Sequence, residues 1–163
     1  MNVVIEGPDG SGKSTLASYI ASELGWDVIA SRGPAKSREE FRSRAVSCLH
    51  RVNAVFDRHP CVSERIYGTM RGDMMLEPDI EEWLYSSRPF IIYYPLPLIG
   101  AHHNLKAHDT PEHLELLNVK ARDIKRAYDR WAMSRANFIY RRGEPKPPVV
   151  HLIRAWFAIG AQS

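Results

Sequence analysis

Eight residues near the start of the chain, Gly7-Pro8-Asp9-Gly10-Ser11-Gly12-Lys13-Ser14, form a full GxxxxGK[ST] pattern. A backbone that curls around a phosphate must aim several N–H groups at its oxygens. Side chains at the tightest points would obstruct that curl, so Gly7 and Gly12 suit it, with Asp9, Gly10 and Ser11 between them. Lys13 brings a mobile point charge to the β- and γ-phosphates. Ser14 offers a hydroxyl to Mg²⁺, and Thr15 continues into the next segment. The expectation is a nucleoside triphosphate site for ATP with Mg²⁺. The loop alone does not choose between a kinase, a GTPase and a motor, but 163 residues leave no second ATPase-sized domain.

A second group lies further on. Asp57-Arg58-His59 is followed by Ser63-Glu64-Arg65 and then Tyr67-Gly68. Arginine grips phosphate through parallel hydrogen bonds, and a carboxylate can hold hydrated Mg²⁺. Arg58 and Asp57 gain weight if they end a strand, because ligands of open α/β sheets bind at the carboxyl ends of strands. Glu64-Arg65 reads either as a second acceptor-side pair or as a surface ion pair. His102, His103 and His108 lack the spacing of a zinc site.

The elements around these residues read as a nucleotide-binding α/β domain. Val3 to Ile5 is a short apolar strand, and Leu16, Ile20, Ala21 and Leu24 mark one side of a helix. Gly25 suits the end of that helix, and residues 26–31 form a second strand. A helix over 37–51 buries Phe41, Ala45, Cys48 and Leu49. The third strand is placed at 52–56, ending in Asp57-Arg58, with 61–62 as the alternative. Residues 69–78 read as irregular, 79–86 as a short helix and 90–94 as a buried strand. Residues 97–110 read as a mobile loop or lid. A long helix follows, with Leu114, Leu117, Ala121, Ile124, Tyr128 and Trp131 as its stripe, Asp109 or Thr110 as cap and Pro111 at its first position. A strand at 137–140 and a helix at 149–159, burying Val149, Leu152, Ile153, Trp156 and Phe157, complete a βαβαβαβαβα order. That order implies a three-layer fold, with a five-stranded parallel sheet and helices on both faces.

With both anchors in place, the chain resembles thymidylate kinases and related phage-type deoxynucleoside monophosphate kinases. The likeness lies in Ile5-Glu6-Gly7 through Leu16 and in Asp57-Arg58 with Ser63 and Tyr67. It implies transfer of the ATP γ-phosphoryl group to a deoxynucleoside monophosphate, with a dTMP-like acceptor. It also implies that Arg58 holds the acceptor phosphate, that Asp57 lies near Mg²⁺, and that Asp9 approaches the acceptor sugar. Arg32, after the second strand, becomes substrate-facing, and Tyr67 a nucleotide contact. His59 stands where the family has an aromatic residue. The family's loop or lid arginine has no counterpart, since position 10 is Gly and 97–110 holds only Lys106 as a strong cation. Arg122 and Arg126 on the long helix are the next catalytic candidates.

A Glu-Arg pair after a strand also resembles deoxynucleoside kinases, which phosphorylate a 5′-hydroxyl. That reaction needs a carboxylate at the hydroxyl, and Glu6, Asp9 and Glu64 are candidates. A nucleotide-binding module without catalysis is the non-enzyme alternative. The remaining composition is that of a single domain. Apolar residues at 44% allow a core, and a formal charge of +3 does not point to nucleic acid or membrane. Cys48 and Cys61 make no disulfide framework, and no secretory signal layout is read, so the expectation is a cytoplasmic protein. Its partners are then small nucleotide substrates. The sequence leaves monomer and homodimer open.

Overall fold

The computed structural model describes residues 1–96 and 111–160, with side chains described outside 111–120. The expected lid at 97–110, Lys106 within it, and the Asp109 or Thr110 cap lie outside the described residues.

Five parallel strands form one sheet. They are β1 (Asn2–Glu6), β2 (Asp27–Ala30), β3 (Ala54–Asp57), β4 (Phe90–Tyr93) and β5 (Phe138–Ile139), ordered β2-β3-β1-β4-β5. β1 is central and pairs with β3 and β4, with Ile5 opposite both Asp57 and Ile92. Its residues Val3, Val4 and Ile5 have no exposed surface, as two-sided coverage of a parallel strand requires.

Side-chain alternation divides the core in two. Val3, Ile5, Val55, Phe90 and Ile92 pack against α1 (Lys13–Leu24) and α6 (Pro147–Gly160). Val4, Phe56, Ile91 and Tyr93 pack against α2 (Arg38–Leu49), α3 (Pro60–Arg71), α4 (Pro78–Ser86) and α5 (Pro111–Arg135). The three layers are those the element order implied.

Several boundaries differ from the sequence reading. Two helices, not one, join β3 to β4. Cys61-Val62 is no strand. It is the first turn of α3, started by Pro60 at N1 and by His59, whose side chain accepts from the Cys61 N–H. Residues 69–71 complete α3, so only 72–77 of the segment read as irregular lies outside helices. Asp57 belongs to β3, one residue beyond the expected end. Leu152 and Trp156 were expected in the core, yet they are 44% and 39% exposed. α6 covers the sheet through Val149, Val150 and Ile153 instead.

Candidate functional site

Three turns at the carboxyl edge of the sheet, after β1, β3 and β5, approach one another. The first is the glycine loop between β1 and α1. Gly7, Gly10 and Gly12 all have positive φ, at 150°, 75° and 105°. A Cβ on Gly7 would fall 2.2 Å from the Tyr94 carbonyl oxygen, so no side chain fits there. Gly12 caps α1 in a left-handed conformation with no side-chain hydrogen bond, and no acidic residue lies in the first turn. The helix therefore presents unpaired N–H groups and its positive end at the loop.

Lys13 is buried and folds back into the loop, donating to Pro8 O at 2.6 Å and Ser11 Oγ at 3.3 Å. Burial, with the Arg58 charge beside it, lowers its pKa to about 8 against the pull of Asp9, Glu6 and Asp57. Ser11 is buried beneath the loop, while Gly10, Ser14 and Thr15 are exposed. Ser14 Oγ donates to Asp57 Oδ2 at 2.5 Å.

The second turn follows β3. Arg58 adopts φ 70°, unusual for a side-chain-bearing residue. Its N–H donates to Ile5 O at 3.1 Å. Its Nη2 donates to Gly7 O at 3.2 Å and to Tyr67 Oη at 3.3 Å, and pairs with Asp9 Oδ1 at 3.0 Å. Its guanidinium carbon lies 5.6 Å from the Tyr67 ring centroid. Burial opposes its charge, but Tyr128, Tyr67, Asp9 and Glu6 together hold it above the ordinary arginine value.

The third turn follows β5. Arg142 Nη2 donates to Gly10 O at 3.0 Å. Beside it opens a cavity of about 240 Å³ lined by Gly12, Thr15, Leu16, Tyr94, Tyr140, Arg142 and Lys146. The aromatic and basic lining suits a flat, electron-rich base attached to a phosphate chain.

No protein-family model matches the chain. Over 84 residues, 47% of the chain, it is 33% identical to the Holliday junction branch migration complex subunit RuvB of Chlorobium luteolum. It spans only 24% of the length of that relative. Solved structures cover nearly the whole of it. YorR from Bacillus subtilis, in complex with phosphorylated GDP, superposes with TM-score 0.63 at 20% identity, covering 100% of this chain and 99% of that one. Shikimate kinase from Aquifex aeolicus gives 0.61 at 16%, covering 99% and 98%. Deoxyadenosine kinase from M. mycoides with bound dATP gives 0.60 at 15%, covering 97% and 100%. The fold is that of the P-loop kinases.

Within this P-loop kinase fold the expected residues separate into two sets. Gly7, Asp9, Lys13, Ser14, Asp57, Arg58 and Tyr67 converge around the glycine loop. Several others do not. His59 is 1% exposed, with burial lowering its pKa to about 3, and its ring lies edge-on to Phe56. It is a neutral helix cap with no surface for a substrate. Glu64 is buried and accepts from Arg71 Nη2 at 2.8 Å and the Met75 N–H at 3.0 Å, tying α3 to the following loop. Arg65 donates its Nε to Glu81 Oε1 at 2.8 Å and bridges α3 to α4. Arg32 is exposed beyond β2, and Arg122 is exposed on α5. Arg126 is exposed as well, and pairs with its helix neighbour Asp123 at 3.9 Å.

Arg142 and Lys146 escaped the sequence reading, whereas Tyr94 is buried, as the strand read at 90–94 implied. The signal was present, because Arg141-Arg142-Gly143 follows a strand at the edge where ligands bind. The metal expectation fits the residues present. Ser14 and Asp57 offer hard oxygen donors at one point beside the loop, and Mg²⁺ usually takes one or two protein ligands, completing its shell with water and phosphate.

Proposed function

We propose that the chain transfers the γ-phosphoryl group of ATP to the 5′-hydroxyl of a deoxynucleoside. The observation that carries the acceptor assignment is the Asp9–Arg58 pair at the rim of the glycine loop. A hydroxyl acceptor must shed a proton, so it needs a carboxylate within reach. Glu6 is wholly buried and Glu64 is occupied by Arg71 and Met75. Asp9, partly exposed, is the carboxylate that can face a ligand there. A monophosphate acceptor would instead require Arg58 to exchange Asp9 for phosphate oxygens. The shared fold with deoxyadenosine kinase from M. mycoides supports the same class of acceptor.

On the donor side, the loop N–H groups and the α1 N-terminus hold the phosphates. Lys13 exchanges Pro8 O and Ser11 Oγ for phosphate oxygens. Arg142 braces Gly10 from the β5 side, so the curl is fixed before the nucleotide arrives. The donor base occupies the cavity bounded by Tyr94, Tyr140 and Arg142. Ser14 and Asp57 would hold Mg²⁺, whose chemistry is to neutralise charge on the β- and γ-phosphates. Asp9 accepts the hydroxyl proton while Arg58 steadies the carboxylate. Alignment and charge stabilisation then supply most of the acceleration.

A second reading keeps the deoxynucleoside monophosphate as acceptor. The observation favouring it is the Arg58 Nε, buried with no hydrogen-bond partner and therefore a donor still to be used. Incubation with ATP and Mg²⁺ against separate panels of deoxynucleosides and monophosphates decides between the two. Turnover of nucleosides alone supports the first reading, and turnover of monophosphates alone replaces it with the second. ATP binding without transfer to either would make the chain a nucleotide-binding module.

A further inference from the structure

We infer that Glu6 and Tyr128 are positioning residues for Arg58, holding the acceptor-side guanidinium in place from beneath the sheet edge and from α5. The inference rests on the kinase reading above, and it concerns two side chains with no exposed surface.

Glu6 is the last residue of β1 and has no exposed surface. A buried carboxylate is unfavourable unless its oxygens are well satisfied. Here each oxygen has one use. Oε1 accepts from the His59 N–H at 2.6 Å, and Oε2 accepts from Tyr128 Oη at 3.3 Å. His59 immediately follows Arg58, whose φ of 70° must be maintained by its surroundings. The Arg58 N–H on Ile5 O fixes one side of that turn, and the His59 N–H on Glu6 fixes the other. β1 thus determines where the Arg58 side chain leaves the backbone.

Tyr128 reaches Arg58 by a second route. Its ring packs edge-on to Tyr67 at 6.2 Å between centroids, and Tyr67 Oη accepts from Arg58 Nη2. The same ring stacks on Tyr93 of β4 at 6.2 Å and 12°. One turn of α5 therefore supports both the backbone and the head group of Arg58. It is pinned in turn by Asp129, which accepts from Tyr93 Oη at 2.6 Å. Two hydroxyl–carboxylate bonds of opposite direction, Tyr128 to Glu6 and Tyr93 to Asp129, set the register of α5 on the sheet.

The charge on Glu6 matters to this arrangement. The groups around it are Arg58 and the His59 N–H from the β3 turn, Lys13 from the loop, and Tyr128 from α5. Tyr67 and Cys61 from α3 and Tyr93 from β4 are the other titratable neighbours. Burial raises the Glu6 pKa to about 7, against the opposing pull of Arg58, the His59 N–H, Lys13 and Tyr128. Protonation weakens Oε1 as an acceptor and removes the negative charge next to Arg58. The acceptor side should then loosen as pH falls through neutrality.

The experiment compares wild type, E6Q and Y128F. Acceptor kinetics and direct ATP affinity are measured from pH 5.5 to 8.5, and the His59 backbone amide is followed by NMR without substrate. In wild type, the acceptor Michaelis constant should rise as pH falls, in step with a His59 amide titration near pH 7. E6Q should abolish both titrations. Y128F, the milder change if E6Q folds poorly, should raise the acceptor Michaelis constant and lower turnover, together roughly tenfold in kcat/KM. ATP affinity of Y128F should stay within about twofold of wild type, since Tyr128 meets Glu6 and Tyr67 rather than the glycine loop's own groups. A His59 amide that does not titrate, or that titrates equally in E6Q, overturns the inference. So does a Y128F enzyme with unchanged acceptor kinetics. A titrating amide in a protein that phosphorylates no acceptor defeats the kinase reading and leaves the Glu6–His59 coupling established.

Discussion

Ser14 and Asp57 lie 43 residues apart in the chain and share a hydrogen bond of 2.5 Å. One stands at the start of the first helix and the other at the end of the third strand, so this contact, with those of Arg58 to Gly7 and Asp9, joins the glycine loop to the β3 turn. If the pair holds Mg²⁺, D57N should shift the magnesium dependence of turnover to higher concentration. Turnover at saturating magnesium should fall roughly 10²-fold, as for the loss of one preorganised charge. A magnesium titration that superposes on wild type would remove Asp57 from that role.

Lys13 titrates near pH 8 in the free protein because burial and Arg58 disfavour its charge. A triphosphate beside it restores that charge. At pH 8, nucleotide binding should therefore take up about half a proton, and at pH 6.5 almost none. Calorimetry in buffers of different ionisation enthalpy reads this directly. K13A should lose the uptake and lower turnover roughly 10²-fold or more.

The Asp9–Arg58 pair yields a separate expectation. D9N should lower nucleoside phosphorylation roughly 10²-fold, the usual scale for a lost general base, with ATP affinity little changed. R58K should recover only part of what R58A loses, because lysine lacks the planar guanidinium whose Nη2 reaches Asp9, Tyr67 and Gly7. Equal ATP weakening in D9N and R58A, with intact acceptor kinetics, would move the pair to the donor side.

His59 should behave as a structural residue. H59A removes the α3 cap and should cost about 1 kcal/mol of stability. H59N keeps a capping acceptor and should recover most of it. The folded-state pKa of about 3 lies below the ordinary 6.5, so the neutral ring's contribution is full above pH 6.5 and is lost as pH falls towards 3. Thermal midpoints of wild type should drop more steeply over that window than those of H59N. Parallel curves would show that His59 titrates freely.

The fold was largely legible because its signals are local and repeated. Val3 to Ile5, the glycine loop and the Leu16–Ile20 stripe need only short-range periodicity. The α3 segment was harder to read, because Cys61-Val62 is equally apolar as strand or helix, and the deciding residues were Pro60 and the His59 cap. Within the site, the glycine loop is contiguous and was legible. Asp57-Arg58 stands out by its resemblance to a family motif and guided the placing of the third strand, which does end at Asp57. Arg142 also follows a strand, but its meeting with Gly10, 132 residues earlier, depends on which strands neighbour one another, and spacing does not encode that. Glu64 and Arg65 show the converse. Their types suggested chemistry, but α3 directs them to Arg71, Met75 and Glu81, where they close the packing of α3, α4 and the loop between them.

The first helix begins at Gly12 without a side-chain acceptor for its leading N–H groups and without an acidic residue to balance its positive end. Most helices carry that acceptor in their own sequence. On the kinase reading a donor phosphate would serve as that cap, and the substrate would then complete the helix end. A nucleotide present at a hundred times its dissociation constant adds about 2.7 kcal/mol to the folded state. The supply of triphosphate would thus shift the folded fraction of the chain as well as the rate at which it works.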